Sequence, residues 1–281
     1  MVVKSMTFSA ALALQILAAG AVAGMLGAVL GLGGGVFLVP FLNLVLHFPI
    51  ATAAAISLTT VIGTSSSISA KRAGQDLINL RLGMVLEVAT AAGSLLGGIT
   101  AQHVAEGTVR VLFAATTTVV AIMMLGRLNR RNVMIGDAVD PGPLGGRFNE
   151  AESGGVVTYQ VKRLPLALVA SFVAGNVSAL LGIGGGIIKV PILNAWCGVP
   201  LRAAAATSAF MIGVTASAGA IIYYGSGQLP AALAAAAILG VQIGSSLGFR
   251  FGQRASARSL KILMAGILLV VAFLMFMRGI G

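Results

Sequence analysis

The chain has 281 residues, of which 58% are hydrophobic and only 9% are charged. Soluble domains carry about 25% charged residues, so this composition excludes an ordinary soluble protein and predicts a membrane protein. The net charge of +11 does not indicate nucleic acid as a partner. Most basic residues lie in loops between apolar runs, where the positive-inside bias of membrane proteins places them.

Eight apolar runs are long enough for membrane helices, which need about 20 residues. They are 9–30, 50–70, 83–101, 108–126, 165–181 with its continuation, 203–224, 230–249 and 259–277. Continuous runs rich in Ala, Leu and Gly are not the alternating strands of a β-barrel. The sequence predicts an all-α polytopic membrane protein of the cell inner membrane, with about 8–10 membrane segments.

A glycine-rich phrase occurs twice inside these apolar segments. GLGGGVFLVPFLN begins at Gly31, and GIGGGIIKVPILN begins 151 positions later at Gly182. At this offset, sixteen of forty positions between 24–63 and 175–214 are identical. The duplication predicts a first membrane repeat and a second membrane repeat joined by a linker. Their predicted bounds are 1–126 for the first repeat, 127–163 for the linker and 164–281 for the second repeat.

The loop charges predict that the two repeats have inverted topology. The loop at 71–81 is basic, whereas its counterpart at 225–230 carries no charge. The next loop, 102–110, has one arginine beside a glutamate, whereas the counterpart around 250–261 is strongly basic. Matching loops therefore lie on opposite sides of the membrane. Inverted repeats are typical of secondary transporters.

The linker 127–163 is the one long polar stretch of the sequence. It holds six of the eighteen basic residues and four of the seven acidic residues. Residue alternation around Glu152 predicts a small β-hairpin. We expect this polar linker to be cytoplasmic because its ends are basic.

The glycine phrase predicts broken or re-entrant helices. Four glycines in five residues cost about 1 kcal/mol each relative to alanine in a helix, and the proline that follows adds a second break. A broken helix presents free N–H groups and a positive dipole end to an anion. Helix packing is the alternative, and it explains Gly93, Gly97, Gly244 and Gly248 better. A nucleotide loop is disfavoured because neither copy continues with Lys-Ser or Lys-Thr.

Polar side chains near the breaks complete a candidate substrate-binding set. Hydroxyl and amide groups suit the oxygens of an anion, although Ser and Thr in membrane helices also bond their own backbone. The candidate substrate-binding residues are Gly33, Gly34, Gly35, Asn43, Ser57, Thr60, Gly184, Gly185, Gly186, Lys189, Asn194, Thr207 and Ser208.

Two charged residues depart from the repeat. Lys189 stands where the first repeat has Leu38, and an intramembrane lysine indicates function. It supplies positive charge to an anion or snorkels to the membrane surface. Glu87 pairs with a basic residue or carries a coupling proton. Because the sequence has no His-Glu-x-x-His, no paired membrane aspartates and no Gly-x-Ser-x-Gly, we predict no catalytic residue, metal or cofactor, and no enzyme.

The doubled Gly-x-Gly-Gly-Gly motif is followed each time by Pro and Asn, and then by AAAISLTT or AAAATSAF. This pattern resembles the TauE/SafE sulfite exporter family. The resemblance implies secondary transport of a small sulfur-containing anion, such as sulfite, sulfoacetate or another short sulfonate. It implies export by alternating access, with both motifs flanking the substrate path. A passive anion channel or a permease for another anion is the alternative. The expected partners are the anion and the lipid bilayer, with a homodimer as a further arrangement.

Overall fold

The computed structural model describes residues 9–30, 33–72, 76–126, 140–150, 155–252 and 257–280. These residues form helices and one pair of strands. In the first repeat the elements are α1 (Ala10–Leu30), α2 (Gly35–Pro40, continued by a π-helical turn Phe41–Val45), α3 (Ile50–Arg72), α4 (Leu80–Ala101) and α5 (Glu106–Gly126). The linker holds β1 (Gly146–Glu150) and β2 (Gly155–Tyr159). In the second repeat they are α6 (Leu164–Leu181), α7 (Gly186–Ala195), α8 (Leu201–Gly225), α9 (Ala231–Gly252) and α10 (Ala257–Ile280).

Seven of the described helices are long and apolar enough to cross a membrane, namely α1, α3, α4, α5, α6, α8 and α9. A shorter apolar stretch of α10 runs from Ala265 to Ile280. Many large apolar side chains point outward, among them Val88, which is 75% exposed, and Phe273, which is 62% exposed. Helices that are apolar on all sides belong in lipid. The predicted polytopic helical fold is confirmed.

Helices of the two halves pair with each other. Helix α1 packs along α9, and α4 packs along α6. At the 151-residue offset α1 corresponds to α6, and α4 corresponds to α9. The α1–α9 pair therefore corresponds to the α6–α4 pair. The remaining large contacts, α3 with α8 and α5 with α10, join corresponding helices directly.

Small residues bring the backbones of these pairs together. A Cβ atom on any of four glycines would overlap a carbonyl oxygen of the facing helix, so no side chain fits there. The facing pairs are Gly93 with Phe172, Gly97 with Asn176, Gly244 with Ala21, and Gly248 with Met25. The last two pairs repeat the first two at the 151-residue offset. The glycine spacing therefore acts in helix packing, as the sequence predicts.

The short helices α2 and α7 double back beside the helices that precede them. A Cβ on Gly34 would lie 2.8 Å from the carbonyl oxygen of Ala23, in the middle of α1. The N–H of Lys162, just before α6, donates to the carbonyl of Cys197, just after α7, at 2.9 Å. Helix α7 therefore ends at the same end of the bundle where α6 begins. With 6 and 10 residues, α2 and α7 are too short to span a bilayer.

The two strands form an antiparallel pair in which Gly146 faces Tyr159 and Glu150 faces Gly155. Residues 151–154 and the linker residues 127–139 lie outside the described residues. Phe148 and Tyr159 are buried in an apolar cluster that also contains Leu82 of α4 and Leu193 of α7. The strand pair therefore docks on helices α4 and α7.

Asn79 fixes this docking at the start of α4. Its Oδ1 accepts a hydrogen bond from the N–H of Leu82 at 3.0 Å, which caps the helix. Its Nδ2 donates to the carbonyl of Leu144 at 2.8 Å and to the Tyr159 hydroxyl at 3.1 Å. Burial raises the pKa of this tyrosine, and the Asn79 bond opposes the rise. The hydroxyl therefore stays neutral at physiological pH.

Candidate functional site

Both glycine phrases break the helix with the same backbone conformation. Gly33 and Gly34 have φ of 85° and 74°, and Gly184 and Gly185 have φ of 82° and 65°. These left-handed angles cost other residues about 1–2 kcal/mol each. The paired glycines are therefore required by the chain path, and α2 and α7 begin directly after them.

The two breaks meet in the middle of the bundle. A Cβ on Gly184 would lie 2.9 Å from Val61 and 3.1 Å from Ile212, and Gly33 faces the same two side chains at 3.4 and 3.7 Å. Val61 and Ile212 are themselves related by the 151-residue offset. The Ser57 hydroxyl donates to the carbonyl of Gly182 at 2.6 Å and ties the two halves together. In this conformation a buried apolar pair fills the space between the breaks.

The N-terminus of α7 leaves backbone donors without partners. The N–H of Gly186 donates to Gly184, and the N–H of Lys189 donates to Gly185. Within the described residues, the N–H groups of Gly185 and Ile187 donate no hydrogen bond. Free N–H groups and the positive end of a helix dipole are chemically suited to an anion.

Buried hydroxyl groups without partners lie beside the same break. The hydroxyls of Ser178 and Ser208 make no hydrogen bond within the described residues, and both side chains are fully buried. Ser178 lies against Gly185, and the Ser208 hydroxyl would lie 3.2 Å from a Cβ on Gly186. Because buried polar groups are normally satisfied, two orphaned hydroxyls at one break mark a candidate position for a polar ligand.

Lys189 reaches the interior from the first turns of α7. Its side chain is 1% exposed, and its Cε lies 3.5 Å from the Cβ position of Gly185. Its Nζ is 3.7 Å from Oε2 of Glu87 and donates to the Thr215 hydroxyl at 3.2 Å. The Thr215 hydroxyl in turn donates to Oε1 of Glu87 at 2.7 Å. Of the two alternatives for Lys189, the structure has the interior placement rather than the snorkelled one.

Several predicted site residues make structural contacts instead. Thr60 donates to the carbonyl of Ser57 in its own helix at 2.7 Å. The side-chain amides of Asn43 and Asn194 donate to the carbonyls of Phe48 and Val199, at 2.8 and 2.9 Å. Each asparagine thereby closes the turn that follows its short helix.

Thr207 and Asn43 have further partners outside the glycine breaks. The Thr207 hydroxyl accepts from the N–H of Asn79 at 3.0 Å, at the start of α4. The Asn43 Oδ1 accepts from Nε of Arg110 at 3.1 Å, and its carbonyl accepts from Arg278 at 3.2 Å. Their polar atoms are therefore engaged at the two ends of the bundle rather than at its centre.

Thr215 is one of the hydroxyl residues that the sequence places after the second motif, but the candidate substrate-binding set includes neither Thr215 nor Ser178. The sequence also does not predict the partnership of Glu87 with Lys189. One signal for that partnership was present in the repeat. At the 151-residue offset Glu87 corresponds to Ile238, and Lys189 corresponds to Leu38. Two charges that are both replaced by apolar residues in the other half are candidates for a pair.

A model of the family described as sulfite exporter TauE/SafE matches residues 16–275. The chain belongs to this family. The match covers nearly the whole chain, including both glycine breaks and the helices that carry Glu87 and Thr215.

Curated relatives of the chain are named as membrane transporters. The chain is 24% identical over 268 residues to "Probable membrane transporter protein YunE" of Bacillus subtilis (strain 168), covering 93% of this chain and 96% of that protein. It is 24% identical over 230 residues to YdhB of the same organism, covering 81% and 86%. It is 30% identical over 119 residues to MJ0441 of Methanocaldococcus jannaschii, covering 39% and 44%. No solved structure matches the chain.

The family, the relatives and the apolar helices together identify a multi-pass membrane transporter.

Proposed function

We propose that this protein is a secondary transporter that moves a small organosulfur anion across the cell inner membrane, outward, by alternating access. The substrate class is sulfite, sulfoacetate or a similar short sulfonate. The observation that carries the proposal is the second glycine break, where Lys189 and two unpartnered buried hydroxyls gather around the N-terminus of α7.

The polar groups at the second break match the chemistry of a sulfite or sulfonate group. Such a group presents three oxygens that accept hydrogen bonds and carry negative charge. The N–H groups of Gly185 and Ile187, the hydroxyls of Ser178 and Ser208, and the Lys189 ammonium are donors from several directions. Charge-assisted hydrogen bonds of this kind are roughly twice as strong as neutral ones.

The first glycine break has a supporting role in this proposal. Ser57 is already bonded to the carbonyl of Gly182, and a Cβ on Gly35 would lie 2.5 Å from the same carbonyl oxygen. Helix α2 is also short, with only 6 residues. Gly33, Gly34 and Gly35 therefore bring the first half close enough to hold the second break in shape.

We propose that the two halves have inverted topology, with re-entrant α1–α2 and α6–α7 hairpins followed by three crossings each. Three observations support this arrangement. The start of α6 lies beside the end of α7. The end of α2 lies beside Arg278 near the end of α10. The α1–α9 helix pair also corresponds to the α6–α4 pair at the 151-residue offset. The basic loop 71–81 and the linker then lie on the cytoplasmic side.

Alternating access assigns a gate to Val61 and Ile212. Both are buried, and they close the space between the breaks in the conformation described. Opening toward either side requires α3 and α8 to part at this pair. Because the pair comes from corresponding positions, the same movement serves both sides of an inverted-repeat transporter.

Binding and counterflow measurements test the proposal. The purified protein is screened by thermal stabilisation against sulfite, sulfoacetate, taurine, sulfate and acetate, and is then placed in proteoliposomes preloaded with the anion that binds. We expect a sulfur anion to stabilise the protein and to show saturable counterflow. Flux without saturation or counterflow indicates a passive channel, and failure of sulfite and of both sulfonates to bind contradicts the substrate class. Because the protein is proposed to be a transporter rather than an enzyme, we expect the anion to be recovered chemically unchanged.

A further inference from the structure

The contact between Glu87 and Lys189 is a loose ion pair with a hydroxyl between its members. The nearest charged atoms are 3.7 Å apart, whereas the Thr215 hydroxyl bridges them at 3.2 and 2.7 Å. Oε2 of Glu87 makes no hydrogen bond within the described residues. The Lys189 ammonium is therefore held by the Glu87 carboxylate and the Thr215 hydroxyl, close to the N-terminus of α7.

Few other charges face this pair. Helix α6, which packs on α4, carries no charged residue, and α7 carries only Lys189. Arg202 lies in the first turn of α8, and Arg81 lies in the first turn of α4, at the end of the bundle. Away from the helix ends, Glu87 and Lys189 are therefore the charged residues of α4, α6, α7 and α8. Their pair is neutral only as long as both side chains are charged or both are uncharged.

An anion at Lys189 changes that balance. A buried charge without a partner is costly, and two negative charges beside one lysine disfavour each other. When an anion takes the lysine, the Glu87 carboxylate loses its counterion and gains a negative neighbour. Taking up a proton removes both penalties.

Resting on the proposed function, we infer that Glu87 and the transported anion bind Lys189 in turn, so that one proton loads onto Glu87 with each anion. The proton comes from water, binds a carboxylate oxygen of Glu87, and leaves when the anion departs and the ion pair re-forms. Glu87 keeps 12% exposure while Lys189 keeps 1%, so the carboxylate is the less enclosed member of the pair. The coupling is therefore proton–anion symport.

The charge balance connects this coupling to the direction of transport. With a monoanion the loaded site is neutral, and the membrane potential does not act on it. With a dianion such as sulfoacetate the loaded site carries one net negative charge. An inside-negative potential drives that charge outward. Proton symport is thus compatible with export when the substrate is a dianion.

A binding experiment with sulfoacetate tests the exchange in the full-length protein. Between about pH 6 and pH 8 both acidic groups of sulfoacetate stay ionised, so pH acts only on the protein. We expect the wild-type Kd to increase up to tenfold per unit of rising pH, because one proton is taken up with each anion. Glu87→Gln should bind sulfoacetate with a smaller pH slope than the wild type, because only Lys189 is then left to titrate. A wild type without this slope, or a Glu87→Gln protein that retains it, overturns the inference.

Proteoliposomes containing a trapped pH-sensitive dye measure the proton directly. Sulfoacetate uptake should acidify the lumen with one proton per anion in the wild type, and Glu87→Gln should exchange sulfoacetate without acidification. Equal acidification in both proteins contradicts the inference. The matched control is Glu87→Ile combined with Lys189→Leu, which copies Ile238 and Leu38 of the first half. It should fold and bind no sulfoacetate, and wild-type affinity in this control overturns the role of Lys189.

The two proposals fail in different ways. Sulfoacetate binding without a pH slope removes the coupling and leaves the proposed function. Binding of acetate or sulfate, but of neither sulfite nor a sulfonate, removes the substrate class, and the pH slope is then measured with the anion that binds. If no anion in the screen stabilises the protein at any pH, both proposals are wrong.

Discussion

The two glycine breaks share one backbone path but differ in what surrounds them. At the first break, Ser57 is bonded across to Gly182, and the position that corresponds to Lys189 holds Leu38. At the second break, Ser178 and Ser208 have no partner within the described residues, and Lys189 points into the interior. The backbone of the two copies has stayed the same while their chemistry has separated.

A duplicated membrane protein makes a single site when only one of its halves carries the site's charges. Backbone geometry, helix pairing and the Val61–Ile212 contact need both halves, so they are retained in both. A buried charge is needed only once, and a second one would add another desolvation penalty of several kcal/mol. The ion pair accordingly occupies one half, while Leu38 and Ile238 keep the corresponding place apolar.

The largest expected effect comes from breaking the ion pair on one side only. Lys189→Leu leaves the Glu87 carboxylate buried beside Thr215 without a counterion, and we expect a loss of about 3–5 kcal/mol at neutral pH. Adding Glu87→Ile should restore most of this stability, because the second half then resembles the first. Thermal unfolding in detergent measures both variants. Equal destabilisation by the single and double variants would show that the charges do not depend on each other.

Glycine substitutions at the two breaks should have similar effects on folding. Gly34→Ala and Gly185→Ala both place a side chain at positive φ, and their Cβ atoms would lie 2.8 and 3.1 Å from carbonyl oxygens of the preceding helices. Each should destabilise the protein by at least about 1–2 kcal/mol. Thermal unfolding again provides the measurement. If only Gly185→Ala destabilises, the first break does not need its left-handed glycine, and the equivalence of the two paths is wrong.

Corresponding serines should respond in opposite ways. Ser57→Ala removes a bond to the Gly182 carbonyl and should cost about 1 kcal/mol of stability, with little change in anion binding. Ser208→Ala removes an unpartnered hydroxyl and should leave stability nearly unchanged, while anion affinity falls about tenfold, or about 1.4 kcal/mol. Paired unfolding and binding measurements check both. Ser208→Ala with unchanged affinity excludes this hydroxyl from the site.

Tyr159→Phe, in the strand pair that docks on α4 and α7, should have the weakest effect of these substitutions. Tyr159→Phe removes the hydroxyl that accepts from Asn79, whereas the Asn79 amide keeps its bond to Leu144. We expect a loss of about 0.5–1 kcal/mol, measured by thermal unfolding. Phe148→Ala is the stronger companion, because it removes a buried ring, and should cost about 3–5 kcal/mol. Equal effects of the two would mean that the docking depends on the hydrogen bond rather than on apolar packing.

Helix positions were predictable from the sequence because membrane helices are defined by the length of an apolar run. The run 165–181 became Leu164–Leu181, and the run 230–249 became Ala231–Gly252. The glycine breaks were predictable for a related reason, since few residues other than glycine tolerate those backbone angles. These features depend on local sequence.

The side-chain partners were less predictable because they depend on which helices become neighbours. Nothing near Ser57 in the sequence indicates the Gly182 carbonyl, and Glu87 lies about a hundred positions from Lys189. The sequence places Asn43 in the candidate site because it lies three residues after the proline of the repeated motif and carries an amide. Its amide closes a local turn, which the sequence pattern does not distinguish from a binding role.

A comparison of Lys189→Met with Leu38→Met determines which glycine break holds the anion. The same new side chain is placed at corresponding positions in the two halves, and the Kd for sulfoacetate is measured for each at the same pH. If the anion site belongs to the second break, Lys189→Met should weaken binding by about a hundredfold, as expected for a lost buried charge contact, and Leu38→Met should bind like the wild type. Unchanged affinity in Lys189→Met, with the protein folded, would contradict the placement of the site.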